Sequence, residues 1–242
     1  MRALAPLLVV LFTACSCGEP DGPDAGHDAG HDAGPSVFRA QRSLVIAIDG
    51  LRPDSLAAAN TPNLDALIAG TWQPGYRAAY APLAQNLYDA VTISGPNHAT
   101  IMTGANGAQH GVTGNDDVGG GDFETYRHYL RLLEQDDPAR NTAFLCTWIV
   151  DRLITSGADL IISDTDAGNV ARVVEIVSGG LSGPRWPRGT APDAIFLFLD
   201  DPDHEGHAFG FEPGVPEYIA EIEQVDGQLG SIFDAIAAAV IG

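Results

Sequence analysis

With 242 residues and 45% hydrophobic content, the chain is long enough for one large α/β domain or two small ones and has the apolar material for a real core. Its formal charge of −20, with arginine as every one of its twelve basic residues, excludes nucleic acid as a general partner, because no basic stripe exists to neutralise phosphates. A small phosphate ester is not excluded, since bound metal ions can supply positive charge locally.

Arg2 and the apolar run Ala3 to Ala14 read as an export leader, too short to span a membrane as a mature helix. The run ends Leu11-Phe12-Thr13-Ala14-Cys15, similar to a bacterial lipoprotein cleavage site with Cys15 as the lipidated residue. Residues 1–17 are therefore expected to be leader and lipidation site, anchoring the protein in the bacterial cell envelope. The alternative is an ordinary cleaved leader and a soluble periplasmic protein. Residues 18–36 repeat Asp, Ala, Gly and His around His27 and His31 with almost no large apolar side chains, so they read as a solvated tether. Three cysteines make no disulfide framework, and Cys146, inside an apolar run, reads as a buried structural thiol.

The folded part, 37–242, is expected to open with Ser43–Ile48, a continuous apolar run of the kind buried on both faces of a parallel sheet. Thr61 is a plausible N-cap with Pro62 at the first helical position. Helical spacing follows over Phe123–Gln135, a strand over Thr142–Val150, a helix over Gly168–Val177, a strand over Asp193–Leu199 and a long helix over Pro216–Val240. Strands alternating with helices predict a doubly wound, mostly parallel α/β sheet with helices on both faces, ligands binding at the carboxyl ends of the strands.

Two acidic sites fall at such ends. Asp49 directly follows the first strand, and Asp200-Asp201-Pro202-Asp203-His204-Glu205-Gly206-His207 follows the last. Between them, Ser94-Gly95-Pro96-Asn97-His98 puts a hydroxyl at a helix start, where backbone N–H groups and the helix dipole favour an anion. Thr92 and Ser94 are both candidate nucleophiles; each would need a base or a metal to lower its pKa, and Ser94 is favoured by the Gly-Pro turn that follows it. Asp203 with His207 and Asp200 with His204 share the same spacing, and both pairs offer donors suited to zinc.

Together these residues resemble the alkaline phosphatase superfamily, most closely its type I phosphodiesterase/nucleotide pyrophosphatase-like branch. The resemblance runs from about Ser43 to the end of the chain. It rests on Ile48-Asp49-Gly50-Leu51-Arg52-Pro53-Asp54, Thr61-Pro62-Asn63-Leu64, the stretch Ser94 to Gly104, His110-Gly111-Val112-Thr113-Gly114-Asn115, and the stretch Asp200 to Gly210. It implies a hydrolase of phosphoric esters with two Zn²⁺ ions or another divalent metal in their place, Asp49 and Ser94 on one ion, Asp203 and His207 on the other. Ser94 then matches the nucleophile and Asn115 the donor to a phosphoryl oxygen, and the register favours Asp203 and His207 over Asp200 and His204. His98 stands where a formylglycine sulfatase would need arginine, so that chemistry is not expected. The family's later Asp-His pair and further histidine have no counterpart after His207. The resemblance therefore implies a catalytic domain incomplete at its C-terminus, and the 242-residue form is expected to be inactive. The rival expectation is a non-catalytic lipoprotein or relic that kept the fold.

Overall fold

The computed structural model describes residues 7–14, 42–72, 93–148, 154, 157–186, 189 and 191–241. Cys15, the tether with His27 and His31, and Thr92 lie outside the described residues. Five strands form one parallel sheet: β1 (Leu7–Ala14), β2 (Arg42–Asp49), β3 (Thr142–Cys146), β4 (Leu160–Ser163) and β5 (Ala194–Leu199), in the order β1-β2-β5-β3-β4. Eight helices accompany them among the described residues: α1 (Pro53–Ala58), α2 (Pro62–Ile68), α3 (Ser94–Thr103), α4 (Gly107–His110), α5 (Tyr129–Asp136), α6 (Asp166–Val177), α7 (Asp201–Phe209) and α8 (Pro216–Ile241). None is long and apolar enough to cross a membrane.

The central strands are apolar without alternation because each of their faces meets a different core. Leu44, Ile46, Ile48, Ala143, Leu145, Ile195, Leu197 and Leu199 pack on one side against Leu64 and Leu67 of α2, Val170, Val173 and Ile176 of α6, and the apolar stripe of α8. Ala47, Phe144, Cys146, Phe196 and Phe198 point the other way, against Ala99 and Met102 of α3 and Leu130 of α5. This is the doubly wound arrangement expected from the alternating elements. Each buried Leu, Ile or Phe contributes roughly 1.5–3 kcal/mol of hydrophobic stabilisation. Cys146 is fully buried, its sulfur 3.3 Å from the Ser163 hydroxyl, as a structural thiol should be.

Several local expectations are altered by tertiary contacts. The apolar run expected to serve as a leader forms β1, parallel to β2 from Leu7 opposite Arg42 to Ala14 opposite Asp49. A short apolar run satisfies leader and strand requirements equally, so periodicity does not separate them. Removal of a leader ahead of Cys15 would take β1 with it and leave β2 as the sheet edge. The helix predicted over Phe123–Gln135 begins only at Tyr129, because the His128 ring accepts the Arg131 N–H and sets the N-cap there. The strand predicted over Thr142–Val150 ends at Cys146; Ile149 and Val150 lie outside the described residues. Thr61 precedes α2 but its side chain caps nothing; the carboxylate of Asp226 on α8 accepts the Asn63 and Leu64 N–H groups instead.

Candidate metal and nucleophile site

β2 and β5 are neighbours in the sheet, so the turns at their carboxyl ends lie side by side. Asp49 closes β2 and is buried. Its carboxylate accepts the Gly50 N–H at 2.9 Å and lies 3.1 Å from the His98 ring nitrogen Nε2, with the Ser94 side chain near enough to act on it. Burial works to raise its pKa, but the hydrogen bond and charge of His98, with the Ser94 side chain and the Gly50 N–H, hold it below the usual carboxylate range. The turn is fixed from α8: the buried Tyr218 hydroxyl donates to the Gly50 carbonyl and accepts the Arg52 N–H at 3.1 Å. Gly50 has φ +68°, and a Cβ there would stand 2.4 Å from the Asp203 Cα, so only glycine lets the two acidic turns approach this closely.

The α3 helix brings two groups to Asp49. Ser94 is its first residue and His98 lies one turn on, so both face the same carboxylate. The His98 ring is buried against Phe198 at 4.1 Å and Trp148 at 5.5 Å. The open N–H cradle expected at this helix start is largely closed. Gly95 N–H is taken by Asn115 Oδ1 at 2.8 Å, Pro96 has none, and Asn97 N–H bonds the Ile93 carbonyl. The helix dipole remains, and the side chain of Asn115 now stands at the helix start. Its Oδ1 is committed to Gly95, so its amide N–H₂ is the end turned to other partners. Asp117 holds the loop that carries Asn115 by accepting the Thr113 and Gly114 N–H groups at 2.9–3.0 Å and the Thr113 hydroxyl at 2.6 Å.

The acidic stretch after β5 is a helix. On α7, Asp203 and His207 are four residues apart, with His207 Nε2 3.4 Å from Asp203 Oδ2 and the imidazole largely exposed. His204 is also exposed. One ligand atom each of Asp49, Asp200 and Asp203 lies within 4.8 Å of the others. The structure thus draws Asp200, from the rival register, into the same cluster as Asp203. Residue spacing gave no sign of this, because Asp200 arrives as the N-cap of α7. His98 was legible in principle, four residues after Ser94.

Three carboxylates this close repel one another. Burial, then the charges of Asp49, Asp203 and Asp166, push Asp200 up to about 7, and burial with the Asp49 charge also raises Asp203. Such a set fits a divalent cation, which would neutralise it. An all-oxygen triad suits Mg²⁺ or Mn²⁺ as well as Zn²⁺, and His207 adds a nitrogen donor beside Asp203.

A pH dependence follows for chelator-treated protein. Folded Asp200 keeps its proton to about pH 7, whereas the unfolded chain releases it near 3.9. Between those values the folded state binds more protons, so stability falls as pH rises. Asp203, Asp201 and Asp166, all raised, act in the same sense, and Asp49, lowered, opposes them. The thermal midpoint is expected to drop from pH 4 to pH 8, less steeply in Asp200→Asn. An equal slope in that variant would contradict the assignment.

Residues 43–131 match the Type I phosphodiesterase / nucleotide pyrophosphatase family. The chain is 25% identical over 210 residues to bis(5'-adenosyl)-triphosphatase enpp4 of Mus musculus, covering 80% of this chain and 42% of that protein. It is 24% identical over 223 residues to ectonucleotide pyrophosphatase/phosphodiesterase family member 3 of Bos taurus, covering 84% of this chain and 23% of that protein. The solved structure of murine ectonucleotide pyrophosphatase/phosphodiesterase 5 superposes with a TM-score of 0.58 at 18% identity, over 82% of this chain and 53% of that one. The chain thus spans only part of the length of each relative. The matched segment holds Asp49, Ser94, His98 and Asn115; over it the chain is similar to the Type I phosphodiesterase / nucleotide pyrophosphatase family, and its fold is like that of the murine structure.

Proposed function

We propose that this chain carries the nucleophile and part of the metal site of a divalent-cation-dependent phosphoric-ester hydrolase, with Ser94 attacking phosphorus. The observation that carries the reading is the Ser94 side chain at the first residue of α3, acting on the buried Asp49 carboxylate that forms a cluster with Asp200 and Asp203. Asp49 and Ser94 would hold one zinc ion, and Asp203 with His207 a second, with Asp200 alongside. Bound cations supply a lowered hydroxyl pKa and charge compensation for the phosphoryl group.

The chain's own residues do the rest. The phosphoryl group sits at the positive end of α3, where the Asn115 amide donates to one of its oxygens, its orientation fixed by the Gly95 N–H on Oδ1. Asp49 holds the Ser94 oxygen in place for in-line attack. The Ser94 hydroxyl gives up its proton to solvent, its O–P bond forms as the bond to the leaving alcohol breaks, and the departing alkoxide takes a proton from solvent. Water then cleaves the phosphoserine, returning the Ser94 hydroxyl and releasing phosphate or a phosphomonoester. His98 orients Asp49 from behind, its own ring clamped by Phe198 and Trp148.

Phosphodiesters are the preferred substrates in this reading, which draws support from the family match and from the phosphodiesterase and triphosphatase names of the relatives. Protein made from the whole reading frame that contains this chain, supplied with zinc, is expected to turn over bis-nitrophenyl phosphate faster than nitrophenyl phosphate. Faster turnover of the monoester would overturn the preference, and no turnover of either would favour the non-catalytic alternative. The protein is lipid-anchored through Cys15 at the bacterial cell envelope in this proposal; Cys15→Ser should move it from the membrane to the soluble fraction, and unchanged fractionation would refute the anchor.

A further inference from the structure

Asp166, the first residue of α6, is fully buried and is not a member of the acidic triad, yet it grips the turn that delivers two of the three carboxylates. Its carboxylate accepts the Asp200 N–H on both oxygens at 2.9 and 3.0 Å and the Asp201 N–H at 2.9 Å. These are the leading N–H groups of α7, a helix whose N-cap side chain makes no capping bond and whose second residue, Pro202, has no N–H. Asp166 is therefore the cap of α7, supplied from a different helix. It is itself fixed by the Thr147 hydroxyl, which receives the Asn169 amide at 3.2 Å; that amide also bonds the Asp164 carbonyl at 2.9 Å. The chain of contacts ties the ends of β3 and β4 to the start of α7.

We propose that Asp166 is a positioning residue that sets the cation affinity of the site by holding the first turn of α7, and hence Asp200 and Asp203, against Asp49. The physical need is plain: the three carboxylates repel, and the Gly50 contact brings the Asp203 backbone close without restraining where its turn begins. Two charge-assisted backbone hydrogen-bonding sites counter that repulsion where α7 starts. The inference rests on the reading of the triad as a divalent-cation site.

The test is calorimetric titration of the 242-residue chain with zinc, together with the visible absorption spectrum of its cobalt form, at a temperature well below unfolding. Asp166→Ala and the isosteric Asp166→Asn, whose amide cannot accept all of these N–H groups, are expected to weaken zinc binding about 10- to 100-fold and alter the cobalt spectrum. Asp166→Asn carries the test if Asp166→Ala fails to fold. Asp226→Ala is the control, because it removes a comparable cap from α2 away from the site; it should lower the unfolding midpoint and leave zinc affinity within twofold. Wild-type affinity in both Asp166 variants would overturn the inference, as would an equal loss in Asp226→Ala. Absence of zinc binding by the unaltered chain, seen before any variant is made, would instead overturn the cation-site reading on which the inference stands.

Discussion

Ser94→Ala, introduced into the zinc-supplied protein from the whole reading frame, is expected to lower kcat for a nitrophenyl diester by at least about 10³-fold, with KM changed only a few-fold. The substitution removes the oxygen that would form the covalent intermediate and little else. Asp49 retains its bonds to His98 and Gly50, and the Asn115 contact to Gly95 does not involve the side chain that is lost. Ser94 is half-buried and caps nothing, so the unfolding midpoint should move little. A rapid-quench experiment with labelled diester should find the label on Ser94 in the parent and none in the variant. Undiminished turnover by Ser94→Ala would dismiss it as nucleophile and return the role to Thr92.

The second large effect concerns stability. Asp226→Ala is expected to cost about 3 kcal/mol, combining loss of a helix cap with loss of hydrogen bonds to a charged acceptor. The Asp226 side chain is buried and accepts the Asn63 N–H at 3.1 Å, the Asn63 amide at 2.8 Å and the Leu64 N–H at 2.7 Å. Alanine would leave the Asn63 and Leu64 N–H groups unpaired at the start of α2, beneath a helix that excludes water, while the Asn63 amide keeps its bond to the Asp226 carbonyl. Water cannot enter cheaply there: α8 passes so near that a Cβ on Gly230 would lie 2.7 Å from the Asn63 side chain. For a chain of this size, about 3 kcal/mol corresponds to a fall of roughly 6–12 °C in the unfolding midpoint. Asp226→Asn, retaining one acceptor oxygen, should fall between the two. Urea unfolding with an unchanged m-value and midpoint in Asp226→Ala would show that the cap contributes nothing.

Both expectations depend on features of different visibility in the sequence. The apolar runs that became β2 and β5, the stripe of α8, and Asp49 at a strand end are determined locally. A strand buried on both faces must be apolar throughout, a helix lying on a sheet must repeat every three to four residues, and a parallel sheet presents its ligands at strand ends. The motif around Ser94 carried the family resemblance in the same direct way, since its residues are contiguous. Asn115 was legible only as part of a motif; it reaches its partner, the Gly95 N–H of α3, on a loop that Asp117 folds back on that helix.

What only the tertiary structure decided is the set of partners for polar groups. Thr61 is a good N-cap by type, but a carboxylate from α8 reaches the same N–H groups and takes them. The start of α7 has no cap nearby in sequence, and one arrives from Asp166, thirty-four residues upstream of Asp200. Spacing made Asp200 and Asp203 rivals; the fold makes them companions, because β2 lies beside β5 and Gly50 lets the turns meet. Apolar burial needs only a pattern along the chain, which the sequence carries by itself. A buried charge or N–H group instead needs a particular partner within about 3 Å, and which partner comes that close is set by how the distant elements pack.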